Sequence, residues 1–87
     1  MINSKIIWIT GASSGIGEAL ALKWAAPGIQ LVLSGRNRNQ LEIVAGNCKK
    51  QGAEVLALAF DLAVPEEVGS AVATVQSSFP RVDILVN

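Results

Sequence analysis

Thr10–Gly17 reads T-G-A-S-S-G-I-G, with glycines at 11, 15 and 17. The stretch before it, Lys5–Thr10 (KIIWIT), is a compact apolar run rich in β-branched side chains, which predicts a buried strand. After it, Ile16, Leu20 and Trp24 recur at four-residue steps with Ala19 between them. That spacing predicts one apolar face of a helix over Gly15–Ala26, stopped by Pro27-Gly28. A glycine turn between strand and helix has a definite physical use. Gly11 lets the chain leave the strand sharply. Gly15 and Gly17 remove Cβ atoms that would hold a pyrophosphate off the backbone and the helix off the strand. The N–H groups of Ser14–Gly17, with the helix dipole behind them, are then placed to hold phosphates. The glycine intervals of four and two differ from the G-x-G-x-x-G spacing. Glu18 stands where a Walker A loop needs Lys, which argues against an ATPase or GTPase.

Outward from this turn, short β-rich runs alternate with helical patterns. Ile29–Ser34 (IQLVLS) reads as a second strand and Asn37–Gln51 as a second helix, with Leu41, Val44, Ala45 and Cys48 inward. Lys49 and Lys50 suit its last turn, and Gly52 ends it. Val55–Phe60 reads as a third strand. Pro65 opens a third helix, Glu66 and Glu67 complement its dipole, and Val68, Ala71, Val72, Val75 and Phe79 form its apolar face. Val64 is a poor N-cap for it. After Pro80, Val82–Val86 begins a fourth strand. Continuously apolar strands separated by helices predict an α/β fold with a doubly wound parallel sheet in the order 3-2-1-4. Two helices would share one face. The third would stand alone on the other, with strand four as an open edge.

Composition narrows the function. The chain has 87 residues, 51% of them hydrophobic, and a mean hydropathy of +0.43. That is one small domain at most, and more apolar than its size suggests, as expected for residues 1–87 being the N-terminal part of a larger single domain. No apolar run approaches the ~20 residues of a membrane helix or the length of a secretory signal, so a cytoplasmic location is expected, with no membrane partner. Seven basic and seven acidic residues balance, with no basic stripe, so no nucleic-acid partner is expected. Cys48 reads as a buried core thiol. The chain has no His and no Tyr. That removes most zinc sites and any Ser-His-Asp arrangement, and no metal site is expected.

Thr10–Gly17 resembles the T-G-x-x-x-G-x-G signature of the short-chain dehydrogenases/reductases of classical type. Asp61-Leu62 after the third strand resembles that family's adenine-contacting pair. Asp83-Ile84-Leu85-Val86-Asn87 resembles the strand entering its Asn-Asn-Ala-Gly motif. The resemblance implies the first half of a Rossmann-like fold, βαβαβαβ. It implies an oxidoreductase that moves hydride between a nicotinamide cofactor and a carbonyl or alcohol substrate. Carried over by position, Ser13, Ser14 and Ile16 contact ribose and phosphates, alongside Gly11, Gly15 and Gly17. Asp61 accepts from the adenine amino group beside the Leu62 backbone, and Asn87 lies near the adenosine ribose. Thr10 reads as structural, its hydroxyl tying the turn.

The second strand ends Ser34-Gly35-Arg36, without the acid that would bind both ribose hydroxyls of NAD(H) and repel a 2′-phosphate. A guanidinium at Arg36 instead suits that phosphate. NADP(H) is therefore favoured over NAD(H), with Asn37 assisting. Against this, Ser14 stands where some NADP-binding relatives carry a base.

The family's catalytic Tyr-x-x-x-Lys pair has no counterpart in a chain without Tyr, so no catalytic residue is assigned. The catalytic half is expected beyond Asn87, in a protein of ~250 residues forming a homodimer or homotetramer. The alternative is a truncated nucleotide-binding or structural fragment without turnover. A methyltransferase of related fold is disfavoured by Arg36 and the glycine spacing.

Overall fold

The computed structural model describes residues 5–86, in the order β1 (Lys5–Thr10), α1 (Gly15–Trp24), β2 (Ile29–Gly35), α2 (Arg38–Lys50), β3 (Glu54–Ala59), α3 (Pro65–Ser78) and β4 (Ile84–Val86). The four strands form one parallel sheet in the order β3-β2-β1-β4. This is the expected first half of a Rossmann-like sheet. Successive residues of a strand face opposite sides. Ile7 and Ile9 of β1 and Leu31 and Leu33 of β2 therefore point together into a core with Leu41, Val44, Ala45 and Cys48 of α2. Ile9, Leu31, Leu33, Leu41 and Val44 are fully buried, each stabilising by roughly 1.5–3 kcal/mol relative to an exposed side chain. Burial also pushes the Cys48 thiol pKa up, consistent with a core thiol.

α1 differs from the sequence reading in which side it turns inward. The spacing of Ile16, Leu20 and Trp24 suggests the buried face, but Ile16 is 80% exposed and Ala19 is exposed. Ala21 and Ala25 are the buried positions, and they continue the line of Gly17 at four-residue steps. The reason is distance. A Cβ on Gly17 would collide with the carbonyl of Gly11, so α1 lies against backbone, and its contact line has to be small. Leu20 and Trp24 pack at the margin of that core.

α2 matches expectation, with Asn37 as its N-cap: Asn37 Oδ1 accepts from Gln40 N at 3.0 Å. On the other side of the sheet α3 buries Ala71 and Val75, while Val72 is 36% exposed. That face, carrying Trp8, Leu58 and Leu85, is less covered, and Leu85 is 56% exposed. Among the described residues, no helix is long and apolar enough to cross a membrane.

β4 begins at Ile84, later than the apolar run starting at Val82 suggests. Asp83 explains the delay. Its N–H donates to the Ile6 carbonyl at 2.8 Å, while its Oδ2 accepts from Ile6 N at 2.9 Å and its Oδ1 from Arg81 Nε at 2.8 Å. Asp83 thus sets the register of β4 on β1 with a side chain as well as with backbone. The bond from Ile6 N, then that from Arg81, holds its carboxyl pKa below the ordinary aspartate value. A carboxyl whose pKa is lowered by folding stabilises above its unfolded value and loses that contribution as pH falls through the folded one. The Ile6 amide resonance is therefore expected to titrate below the range of an ordinary exposed aspartate, with the β1–β4 pairing loosening under it. Titration within that ordinary range contradicts the assigned bond.

Candidate nucleotide site

The carboxyl ends of β1, β2 and β3 meet at one side of the sheet, and bonds between their connections hold them together. Ala12 N donates to the Ser34 carbonyl at 2.9 Å, tying the glycine turn to β2. Phe60 N donates to the Gly35 carbonyl at 2.9 Å, tying the exit of β3 to the same strand. A side chain on Gly35 would press on Ser13 Oγ, 3.1 Å from the place of its Cβ. Between these connections lies a cleft of about 490 Å³ lined by Thr10, Gly11, Ser13, Ser34, Gly35, Arg36, Phe60, Asp61, Leu62 and Ala63.

Gly11, Ser13, Arg36, Asp61 and Leu62, all singled out in the sequence, come together on this cleft. Ser14, Gly15, Ile16 and Gly17 are not part of its lining; they follow Ser13 in the chain, at the start of α1. Gly15 adopts φ +60, and nothing lies within 4 Å of where its Cβ would stand. Its backbone is thus open to a ligand. Ser14 is the N-cap of α1 but makes no side-chain cap bond, so among the described residues no side chain caps the first-turn N–H groups. Exposed Ile16 stands at the same end. Gly17 serves packing, through its approach to Gly11. Asn37 lies outside the cleft lining, and its Oδ1 is engaged at the N-cap of α2. Asn87 lies outside the described residues.

Charge is arranged in keeping with an anionic ligand. Arg36 and Arg38 are exposed, and among the described residues neither pairs with a carboxylate. Asp61 Oδ1 accepts from Ala63 N at 2.9 Å, while its second oxygen has no partner among the described residues. One carboxylate oxygen therefore shapes the turn and the other stays accessible. The Thr10 hydroxyl donates to the Val86 carbonyl at 3.0 Å. Thr10 thus ties β1 to β4.

Sequence reasoning missed Ser34. It is 1% exposed, it lines the cleft, and its Oγ accepts from Trp8 Nε1 at 3.0 Å. The available signal was one hydroxyl at the carboxyl end of an otherwise apolar strand. Phe60 and Ala63, which flank Asp61-Leu62, were missed as well.

The sequence pattern of the short chain dehydrogenase family matches residues 5–87. The chain belongs to that family. As a short-chain dehydrogenase it is 39% identical over 90 residues to dehydrogenase/reductase SDR family member 7 of Mus musculus, covering 99% of this chain and 27% of that relative. It superposes on L-sorbose reductase of Gluconobacter frateurii, complexed with NADPH and L-sorbose, with a TM-score of 0.89 and 45% identity, over 99% of this chain and 33% of that one. NAD+-bound xylitol dehydrogenase gives a TM-score of 0.89 and 32% identity, over 97% and 32% of the two chains. The short-chain dehydrogenase chain thus spans about a quarter to a third of the relatives it matches.

The contact between α1 and the turn makes a sharp prediction. Gly17→Ala places a methyl against backbone, which has no rotamer to yield, and is expected to destabilise by about 1–3 kcal/mol in urea unfolding. Gly46→Ala, in the interior of α2 with nothing within 4 Å of its Cβ position, is expected to cost nothing. Equal stability of the two variants contradicts the packing.

Proposed function

We propose that this chain is the NADP(H)-binding portion of a short-chain dehydrogenase/reductase acting on a small carbonyl or alcohol substrate. The observation that carries the reading is the single cleft that unites the glycine turn, Arg36 and the Asp61–Leu62 turn at the strand ends. Ligands gather at that end of an open parallel sheet. The residues fit a dinucleotide: the open backbone at Gly15 and the uncapped start of α1 suit a pyrophosphate. Ser13, Ser14 and Ile16 would border the same phosphates and ribose. The accessible oxygen of Asp61 would accept from the adenine amino group, with the Leu62 backbone beside it. When bound, the nicotinamide would supply or receive hydride. The chain's own residues bind and orient the nucleotide in this reading.

The preference for NADP(H) rests on Arg36. Similar structures carry either form, NADPH in the sorbose reductase and NAD+ in the xylitol dehydrogenase, so fold alone does not choose. Arg36 sits where β2 ends, exposed and without a carboxylate partner among the described residues. There it can grip a 2′-phosphate through parallel hydrogen bonds. The proton donor at the substrate oxygen is not among these residues, which include no Tyr and no His. A second reading is nucleotide binding without turnover. Saturable NADPH binding without oxidation by any carbonyl compound would support it. A homodimeric or homotetrameric assembly belongs to the first reading.

Arg36→Ala tests the cofactor assignment. Loss of a charge-assisted bond of about 1.5–3 kcal/mol predicts an NADPH Kd raised by about ten- to a hundredfold, with the NADH Kd nearly unchanged. Equal losses for both nucleotides, or none for NADPH, would overturn the role of Arg36.

A further inference from the structure

The Asp61–Val64 turn is short of local restraint. β3 ends at Ala59, and the bond from Phe60 N to Gly35 is the last that its exit makes to β2. Asp61 N is one residue past it. At the far side of the turn, Val64 caps α3 without a side-chain bond and Pro65 brings no N–H. The gap is filled from inside α3. Glu67, in the first helical turn, turns back across the loop, and its Oε1 accepts from Asp61 N at 3.1 Å. Val64 N donates to the Asp61 carbonyl at 3.0 Å, and Ala63 N to Asp61 Oδ1 at 2.9 Å. Asp61 is thus held at its N–H, its carbonyl and one carboxylate oxygen. Glu67 provides the only one of these holds that comes from outside the turn. An ordinary capping box would send this glutamate to the N–H of the N-cap residue, so the longer reach to Asp61 is a property of this chain's own turn. Glu67 also lines a hollow of about 330 Å³ with Arg36, Arg38, Ala59, Phe60 and Asp61, and Glu66 does not.

We propose that Glu67 is a positioning residue for nucleotide binding: by holding Asp61 N it presents the Asp61 carboxylate and the Leu62 backbone to the adenine end of the cleft. This rests on the NADP(H) reading. Glu67 acts through Asp61 and needs no contact with the ligand. Its effect is confined to the adenosine half, since among the described residues no hydrogen bond joins the Asp61–Val64 turn to the glycine turn across the cleft.

The test uses Glu67→Ala, Glu67→Gln and Glu66→Ala, with NADPH, adenosine 2′,5′-bisphosphate and reduced nicotinamide mononucleotide as probes. Gln keeps an oxygen acceptor for Asp61 N, while Glu66→Ala removes an equal charge from the same helix turn. Glu67→Ala is expected to weaken NADPH and the bisphosphate by about three- to tenfold, the scale of one solvent-accessible hydrogen bond. The mononucleotide is expected to be unaffected, and amide exchange at Asp61 to speed up. Glu67→Gln should bind no more weakly than the unsubstituted protein, and Glu66→Ala should match it. Equal losses in Glu66→Ala, failure of Gln to restore binding, loss for the mononucleotide as well, or unchanged binding in Glu67→Ala each overturn the proposal. If the unsubstituted protein binds neither NADPH nor the bisphosphate, the cofactor reading falls and takes this role with it. If it binds both and Glu67→Ala equals it, the role of Glu67 alone falls.

Discussion

Everything at the carboxyl end of the sheet depends on a backbone-to-backbone approach, the seating of α1 at Gly17 against the carbonyl of Gly11. With no side chain between them, the start of the helix lies beside the end of β1, and the glycine turn has nowhere to go but over the strand ends. From there the restraints run in series. Ala12 is tied to Ser34, Gly35 to Phe60, and Asp61 to Glu67. Each link is one hydrogen bond, modest alone at about 0.5–1.5 kcal/mol net. Together they hold three loops from distant parts of the sequence around one cleft. The same seating sets the start of α1 beside the strand ends, so the constraint that builds the fold also builds the proposed phosphate site.

The two faces of the sheet are unlike. One is closed by α1 and α2 over fully buried Ile9, Leu31, Leu33 and Leu41. The other has α3 alone, which buries small residues and leaves Leu85 and Val72 partly in solvent. Trp8 on that face is fixed by donating to Ser34 Oγ. It thereby connects the less covered side of the sheet to the floor of the cleft. β4 is anchored by polar contacts at both ends, Asp83 to Ile6 at its start and Thr10 to Val86 at its finish. A three-residue strand offers little ladder of its own, so these side chains matter to its register.

Much of this was legible in the residues. The parallel sheet followed from apolar runs that do not alternate, because a strand covered on both faces has no polar side to show; its order followed from the doubly wound fold. The α2 face followed from branched and sulfur-bearing side chains at helical spacing. The α1 face did not, because the true contact line of Gly17, Ala21 and Ala25 carries little hydrophobic signal. Ile16 carries more, and stands in solvent at the start of α1. In the cleft, Gly11 and Arg36 were readable from their places at strand ends, and Ser13, Asp61 and Leu62 through the resemblance to the family's motifs. Asn37 was read toward the ligand, although its oxygen caps α2, a use that Asn before a helix also announces. Ser34 and Glu67 were hidden for a different reason. Their partners, Trp8 and Asp61, are set by tertiary placement and by no local spacing.

The central claim is that a phosphorylated dinucleotide lies across the start of α1 and the turn after β3. Hydrogen–deuterium exchange with and without saturating NADPH tests it most directly. Exchange is expected to slow most at the amides of residues 14–17 and 61–62, with little change in the second half of α2. Slowing confined to other segments, or none at saturating NADPH, would contradict the account.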